Sequence, residues 1–170
     1  EATINGLPKE NMNYTGFVSF GLMINEGEPM VIEYNCRLGD PETEAVIPRL
    51  KNDLAALLLA AAENKLAEVE IVTDERTAVT IVAVSGGYPG DYEKGLQIRG
   101  LETNIGTDTV IFHSGTICSN DLILTNGGRV LAVTSFGKDI KEAGEASKNL
   151  LDEIYFDGIN YRRDIGYEFV

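Results

Sequence analysis

The densest concentration of reactive groups in the sequence is Val31-Ile32-Glu33-Tyr34-Asn35-Cys36-Arg37-Leu38-Gly39-Asp40-Pro41-Glu42. Pro29 to Asn35 reads as a strand, in which successive side chains alternate faces. Glu33, Asn35 and, if the strand continues, Arg37 then project from one side, with Ile32 and Tyr34 on the other. A carboxylate and an amide oxygen two residues apart can hold the same hard cation, and a guanidinium one step further can grip a phosphate in bidentate fashion. Magnesium dehydrates reluctantly and is commonly held by one or two carboxylates plus substrate phosphates, so Glu33 and Asn35 need not form a complete cage. That combination suits nucleoside triphosphate chemistry. Glu-x-Asn-x-Arg has a plainer reading too, a salt bridge between Glu33 and Arg37 on an edge strand, and spacing alone leaves both open.

The elements that must position these groups can be read from periodicity. Tyr14 to Met23 alternates aromatic and β-branched residues around small ones, and Asn25-Glu26-Gly27-Glu28 joins it to the strand at Pro29 to Asn35, which predicts an antiparallel hairpin. Pro41-Glu42-Thr43-Glu44 suits the start of a helix, which Pro48 interrupts. Asn52 is placed to cap a second helix through Leu54, Leu57, Leu58 and Ala61, whose helical spacing predicts core packing. Beyond the acidic stretch Ala67 to Arg76, strands are predicted at Ala78 to Ser85, Val110 to Ile117, Leu122 to Leu124 and Arg129 to Phe136, with Asn126-Gly127-Gly128 as the turn between the last two. Gly86-Gly87-Tyr88-Pro89-Gly90 reads as a tight turn. Asp139 should cap a helix with Ile140, Ala143, Leu150, Leu151 and Ile154 on one face. Strands and helices do not alternate regularly, so the class is α+β, with a division between residues 1–66 and a strand-rich 67–170.

Composition narrows the partners. Against 27 Asp plus Glu there are 14 Lys plus Arg, a formal charge of −13, and the basic residues are scattered apart from Arg162-Arg163. Binding nucleic acid takes clustered cations, so no nucleic-acid partner is expected. The longest apolar run, Leu54 to Ala62, falls well short of the roughly 18 residues of a membrane-spanning helix, and no membrane partner is expected either. The N-terminus has neither the basic start nor the apolar run of a signal peptide. Cys36 and Cys118 form no CxxC and are expected to be small buried residues in a reducing cytoplasm. His113, the one imidazole, is expected to play a structural role, and Arg162-Arg163-Asp164 to form a partly exposed ion cluster.

Glu33-Tyr34-Asn35-Cys36-Arg37-Leu38-Gly39-Asp40-Pro41-Glu42 as a whole is far more specific than its first half. It resembles the metal-binding strand of ATP-grasp ligases and, within them, the phosphoribosylamine-glycine ligase (glycinamide ribonucleotide synthetase) family of purine biosynthesis. Tyr14-Thr15-Gly16, Gly21-Leu22-Met23, Gly86 to Tyr92 with Lys94-Gly95, Phe112 to Thr116, Thr125 to Leu131 and Arg162 to Gly166 resemble further landmarks of that family, in order, over nearly the whole chain. Tyr34 and Leu38 stand where the family more often has Phe, and Ser114 where Ala is usual. The resemblance implies a fold made of the C-terminal part of an ATP-grasp domain, hairpin plus helices, followed by a small strand-rich domain.

It also implies a reaction: ATP-dependent joining of glycine to phosphoribosylamine through an acyl phosphate, giving glycinamide ribonucleotide, ADP and phosphate. Glu33 and Asn35 would hold Mg²⁺ or Mn²⁺, Arg37 would stabilise the transferring phosphoryl group, and Asp40 and Glu42 would orient substrate. The family's N-terminal domain, its lysine-bearing glycine-rich loop and its adenine pocket would precede Tyr14, so the chain is expected to be a C-terminal portion, inactive alone. Apolar surface around Phe17, Phe20 and Leu22 would then favour self-association. Two alternatives remain. One is another ATP-grasp ligase, such as a biotin-dependent carboxylase component, expected to continue after Arg37 with a Val-Glu-His type segment in place of Leu38 to Glu42. The other is a non-catalytic binding module that retains the fold.

Overall fold

The chain reverses at Glu26 and Gly27, whose φ angles are +50° and +86°. Two consecutive positive values make the mirror-image turn whose twist matches that of flanking strands. It joins β1 (Ser19–Asn25) to β2 (Glu28–Asn35) as the predicted antiparallel hairpin. The ladder runs from Asn25↔Glu28 to Ser19↔Asn35 and carries one irregularity, between Gly21 and Leu22, where the register moves from Glu33 to Val31. β1 starts later than periodicity suggests, because Tyr14 to Val18 precedes the ladder as irregular chain.

Residues 2–102 and 106–169 are described by the computed structural model. They form two compact units, Glu1–Asp40 with Leu50–Thr73, and Pro41–Arg49 with Asp74–Val170. Pro41–Arg49 thus groups with the C-terminal residues. In the first unit the short helix α1 (Ala2–Gly6) precedes the hairpin, and Phe20 and Tyr34, cross-strand partners, meet edge to face at 5.3 Å. Phe20, Leu22, Met23, Met30, Ile32 and Tyr34 are all exposed.

In the second unit α2 (Glu42–Val46) starts after Pro41 as read, and Pro48 lies in a 3₁₀ turn, Ile47–Arg49. In the first unit α3 (Leu54–Ala62) is capped by Asp53, whose carboxylate accepts from Ala56 N at 2.9 Å, and not by Asn52. The Asn52 amide is engaged elsewhere, accepting from Val72 N at 2.6 Å and donating to Glu70 O at 3.0 Å. α3 is not the core helix its periodicity predicts. Only Leu57 is buried, while Leu58 and Leu59 are 47% and 60% exposed. A helix apolar on most of its circumference has no single core-facing stripe, so spacing could not say which residues would be covered.

The second unit holds the main core. β3 (Thr77–Val84), β7 (Arg129–Gly137) and β4 (Thr109–His113) form an antiparallel sheet with β7 in the centre. α4 (Ile140–Glu153) packs on one face, its Ala143, Leu150 and Leu151 against Val79, Ile81, Leu131 and Val133. Asp139 caps α4 as predicted, accepting from Glu142 N at 2.8 Å. Thr134 hydrogen-bonds Thr80 and donates to Glu44 O at 2.9 Å, tying the sheet to α2. Val130 to Ser135 are all buried because β7 has neighbours on both edges and cover on both faces.

The predicted strand Val110 to Ile117 is in fact two, since β4 ends at His113 and β5 (Thr116–Ser119) pairs instead with β6 (Leu122–Thr125). The break falls at Ser114-Gly115, where a Cβ on Gly115 would lie 2.4 Å from Arg129 O and 2.6 Å from Gly127 Cα. Asn126 to Gly128 therefore carries the chain from one sheet to another and does not turn a hairpin. Gly87 to Gly90 forms the predicted tight turn, closed by Gly90 N donating to Gly87 O at 2.8 Å, with Tyr88-Pro89 cis. Cys118 and Cys36 are both exposed and free, not buried as expected.

Arg162 pairs with Asp164, and Arg163 with Asp152 at 2.7 Å while lying over the Tyr161 ring at 4.9 Å. Tyr161 donates to Asp152. Burial, then that hydrogen bond, pushes the Tyr161 hydroxyl up to about 12. The Arg163 guanidinium, then the Tyr161 hydroxyl, holds the Asp152 carboxyl below its ordinary range. A tyrosine raised above its unfolded value of about 10 stabilises fully below that pH and loses the contribution as pH climbs through its folded value. In thermal melts, the advantage of the native chain over Tyr161→Phe is expected to be constant to about pH 10 and to shrink towards pH 12; a pH-independent difference would contradict this.

Candidate functional site

The hairpin register decides what the reactive string can do. Glu33 stands opposite Gly21, where a Cβ would come 2.8 Å from Glu33 Cγ, so the missing side chain leaves room for the carboxylate's stem. Asn35 stands opposite Ser19 as the last pair of the ladder. As alternation requires, the two side chains share a face and touch: Asn35 Nδ2 donates to Glu33 Oε1 at 3.0 Å.

Arg37 lies beyond the end of β2, exposed, with Nη1 donating to Leu38 O at 3.0 Å. The surface ion pair with Glu33 does not form; the carboxylate faces the Asn35 amide instead. Asp40 ends the first segment of the first unit, and Glu42 opens α2 in the second, so the structure brings Glu33 and Asn35 together and leaves Glu42 on a separate body. His113 is exposed, with Nδ1 3.0 Å from Thr116 Oγ1.

Among the described residues no group of three or more His, Cys, Asp and Glu could hold a metal ion. The donor set at the hairpin is therefore partial. A half-turn about χ2 of Asn35 exchanges Nδ2 for Oδ1 and gives two oxygen donors side by side. One carboxylate and one amide oxygen fit a hard divalent cation whose remaining ligands come from phosphates and water.

Two features escaped the sequence reading. Tyr14 Oη lies 2.8 Å from Phe17 O and 2.9 Å from Cys36 O, although Tyr14 drew notice only as part of a strand and of the Tyr14-Thr15-Gly16 landmark. Glu44, read only as a helix-favouring acid, has Oε2 buried with no hydrogen-bond partner among the described residues. For Tyr14 the signal was Tyr-x-Gly ahead of a strand, since a Cβ on Gly16 would lie 2.7 Å from the hydroxyl. No helix among the described residues is long and apolar enough to cross a membrane.

Comparison with known proteins identifies the frame around this site. The model of the phosphoribosylglycinamide synthetase C domain matches residues 78–168, and that of the ATP-grasp (A) domain of the same synthetase matches residues 1–43. The chain belongs to the phosphoribosylglycinamide synthetase family. It is 46% identical to the phosphoribosylamine-glycine ligase of Vibrio cholerae over all of its own length and 40% of that relative, and 44% identical to that of Escherichia coli K12 over 99% of itself and 40% of the relative.

The chain thus spans about 40% of the length of the curated relatives it matches. The crystal structure of the Thermotoga maritima phosphoribosylamine-glycine ligase matches with a TM-score of 0.81 and 34% identity, over 95% of this chain and 40% of that one. The biotin carboxylase domain of Hydrogenobacter thermophilus 2-oxoglutarate carboxylase matches with a TM-score of 0.66 at 12% identity, over 95% of this chain and 36% of that one. The second likeness shows a common fold and no more. The α+β class and the order of hairpin, helices and strand-rich domain in this synthetase chain stand as read from the sequence.

With two protein donors on an exposed ribbon, the chain by itself is expected to bind Mg²⁺ only weakly, with a dissociation constant on the order of millimolar or above. Titration calorimetry checks this, and micromolar binding would contradict it.

Proposed function

We propose that this chain supplies the metal-binding strand and C-terminal domain of a phosphoribosylamine-glycine ligase, which joins glycine to phosphoribosylamine at the expense of ATP. One observation carries the reading. Glu33 and Asn35, side by side at 3.0 Å on a strand end, stand within the string Glu33 to Glu42 of a chain belonging to the synthetase family. The biotin-dependent carboxylase alternative shares the fold, but Leu38-Gly39-Asp40-Pro41-Glu42 follows Arg37 here, and the named relatives at 44–46% identity are ligases of glycine. The enzyme is placed in the cytoplasm, in keeping with two free, exposed cysteines. The division between the ATP-grasp portion and the C-terminal domain is placed between residues 66 and 67, within the span left between the two family matches.

In this reading Glu33 and Asn35 would hold Mg²⁺ or Mn²⁺, which would supply neutralisation of nucleotide phosphate charge. Arg37, free of any ion pair with Glu33, turns its guanidinium onto the phosphoryl group passing to the glycine carboxylate and holds the resulting acyl phosphate in place. Asp40 and Glu42 orient the amine or sugar hydroxyls of phosphoribosylamine. The amine then attacks the acyl carbonyl, phosphate departs, and the amine loses one proton. No side-chain nucleophile is needed, because the substrate's own carboxylate and amine form the new bonds.

In the full-length ligase, Glu33→Ala is expected to lower turnover at least about a hundredfold, since an amide and water are left to hold a cation against nucleotide charge. Near-normal turnover at limiting Mg²⁺ would remove Glu33 from the site. Arg37→Lys is also expected to be costly, because a point charge cannot reproduce a bidentate contact; unchanged kinetics would exclude that role.

The isolated chain is expected to form no ADP with glycine and phosphoribosylamine, because positioning of the nucleotide falls to parts of the relatives that these residues do not match. Through the exposed ribbon at Phe20, Leu22 and Ile32 it is also expected to self-associate. Substrate-dependent ADP formation would refute the first claim, and a strictly monomeric sedimentation profile at high concentration the second.

A further inference from the structure

We infer that Tyr14 is a positioning residue for this site: its hydroxyl clasps the open end of the hairpin and fixes the backbone between Asn35 and Arg37. The inference rests on the reading of Glu33, Asn35 and Arg37 given above, and it begins where the ladder stops.

Ser19↔Asn35 is the last strand pair, so beyond it the backbone has no sheet to hold it. Rotation about the bonds at Cys36 would swing Asn35 and Arg37 relative to each other. One wants to face a cation and the other a phosphate, and both contacts depend on direction as well as distance.

Tyr14 Oη sits 2.9 Å from Cys36 O, the carbonyl between those two side chains, and 2.8 Å from Phe17 O, just before β1. Residues 17 and 36 lie on the two chain segments that flank the hairpin's open end. A single hydroxyl, sharing its one proton between the two carbonyl oxygens, therefore ties the segment entering β1 to the segment leaving β2, from a rigid ring that has only two rotatable bonds to order.

Gly16 guards the arrangement. Its φ is +153°, and a Cβ would lie 2.7 Å from the hydroxyl and 3.0 Å from the ring carbon that bears it. The ring also walls a cavity of about 620 Å³ to which Asn35 and Cys36 contribute.

The test uses the full-length ligase with Tyr14→Phe, which keeps the ring and removes the clasp. Initial rates are measured against free Mg²⁺ at saturating ATP, glycine and phosphoribosylamine, beside the thermal midpoint. Loss of one hydrogen bond should raise the half-saturating Mg²⁺ concentration by roughly fivefold. The thermal midpoint should stay within about 2 °C, because the rest of the ladder is untouched.

Gly16→Ala, which crowds the hydroxyl without removing it, should shift Mg²⁺ dependence in the same direction. It keeps the proposal testable if the phenylalanine variant folds poorly. A half-saturating Mg²⁺ concentration equal to wild type in the folded variants overturns the inference, whether or not the midpoint falls, since a purely structural role would cost stability and leave metal response alone. Glu33→Ala run in parallel separates the two levels. If it too behaves as wild type at limiting Mg²⁺, the site reading fails and this inference with it; if it is impaired while both Tyr14 and Gly16 variants respond normally, only the positioning role is lost.

Discussion

The antiparallel ladder between β1 and β2 ends at Ser19↔Asn35, and the chemistry assigned to this chain hangs on that end point. A strand alternates its side chains, so the pairing of Glu33 with Gly21 and of Asn35 with Ser19 puts a carboxylate and an amide on one face, 3.0 Å apart. Gly21 gives the glutamate stem the space it needs, and the ladder's end releases Arg37 from the sheet. A register slip of one residue would turn Ile32 and Tyr34 to that face and leave neither carboxylate nor amide there.

The second unit meets a different constraint. β7 is flanked by β3 and β4 and buried from Val130 to Ser135, so its polar side chains must find partners inside. Thr134 meets Thr80 and Glu44 O, Ser135 meets Thr109, and on the helix side Ser147 donates to Val79 O at 3.0 Å. These bonds fix how α2 and α4 pack on the sheet. Glu33 and Asn35, proposed to hold the cation, stand by contrast on a ribbon exposed on both faces, where apolar burial contributes little order. Directional hydrogen bonds, among them those of Tyr14, carry more of the positioning there.

How much of this was legible follows from the range of the interactions. Alternation, the Glu26-Gly27 turn and the Asp139 cap are local, and each appeared as read. Asn52 and Asp53 are equally good caps by residue type. The choice between them was made by Glu70 and Val72, which engage the Asn52 amide from about twenty residues away. The break in Val110 to Ile117 came from the close approach of Gly115 to Gly127, invisible to any window along the chain. Exposure of Leu58, Leu59 and Cys36 depends on what covers them, which spacing does not encode. The proposed site residues could be singled out because they lie in one contiguous string; the Tyr14 contact to Cys36 spans 22 positions and could not.

The central claim is that Glu33 and Asn35 jointly hold the divalent cation of a nucleotide-dependent ligase. A crystal structure of the full-length protein with Mn²⁺ and a non-hydrolysable ATP analogue, with the ion located by its anomalous scattering, tests it most directly. The expected result is an ion bonded to both Glu33 and the Asn35 carbonyl oxygen and to nucleotide phosphate oxygens, with the Asn35 amide turned from its present contact. An ion bound to the phosphates elsewhere, with Asn35 Nδ2 still donating to Glu33, would contradict it.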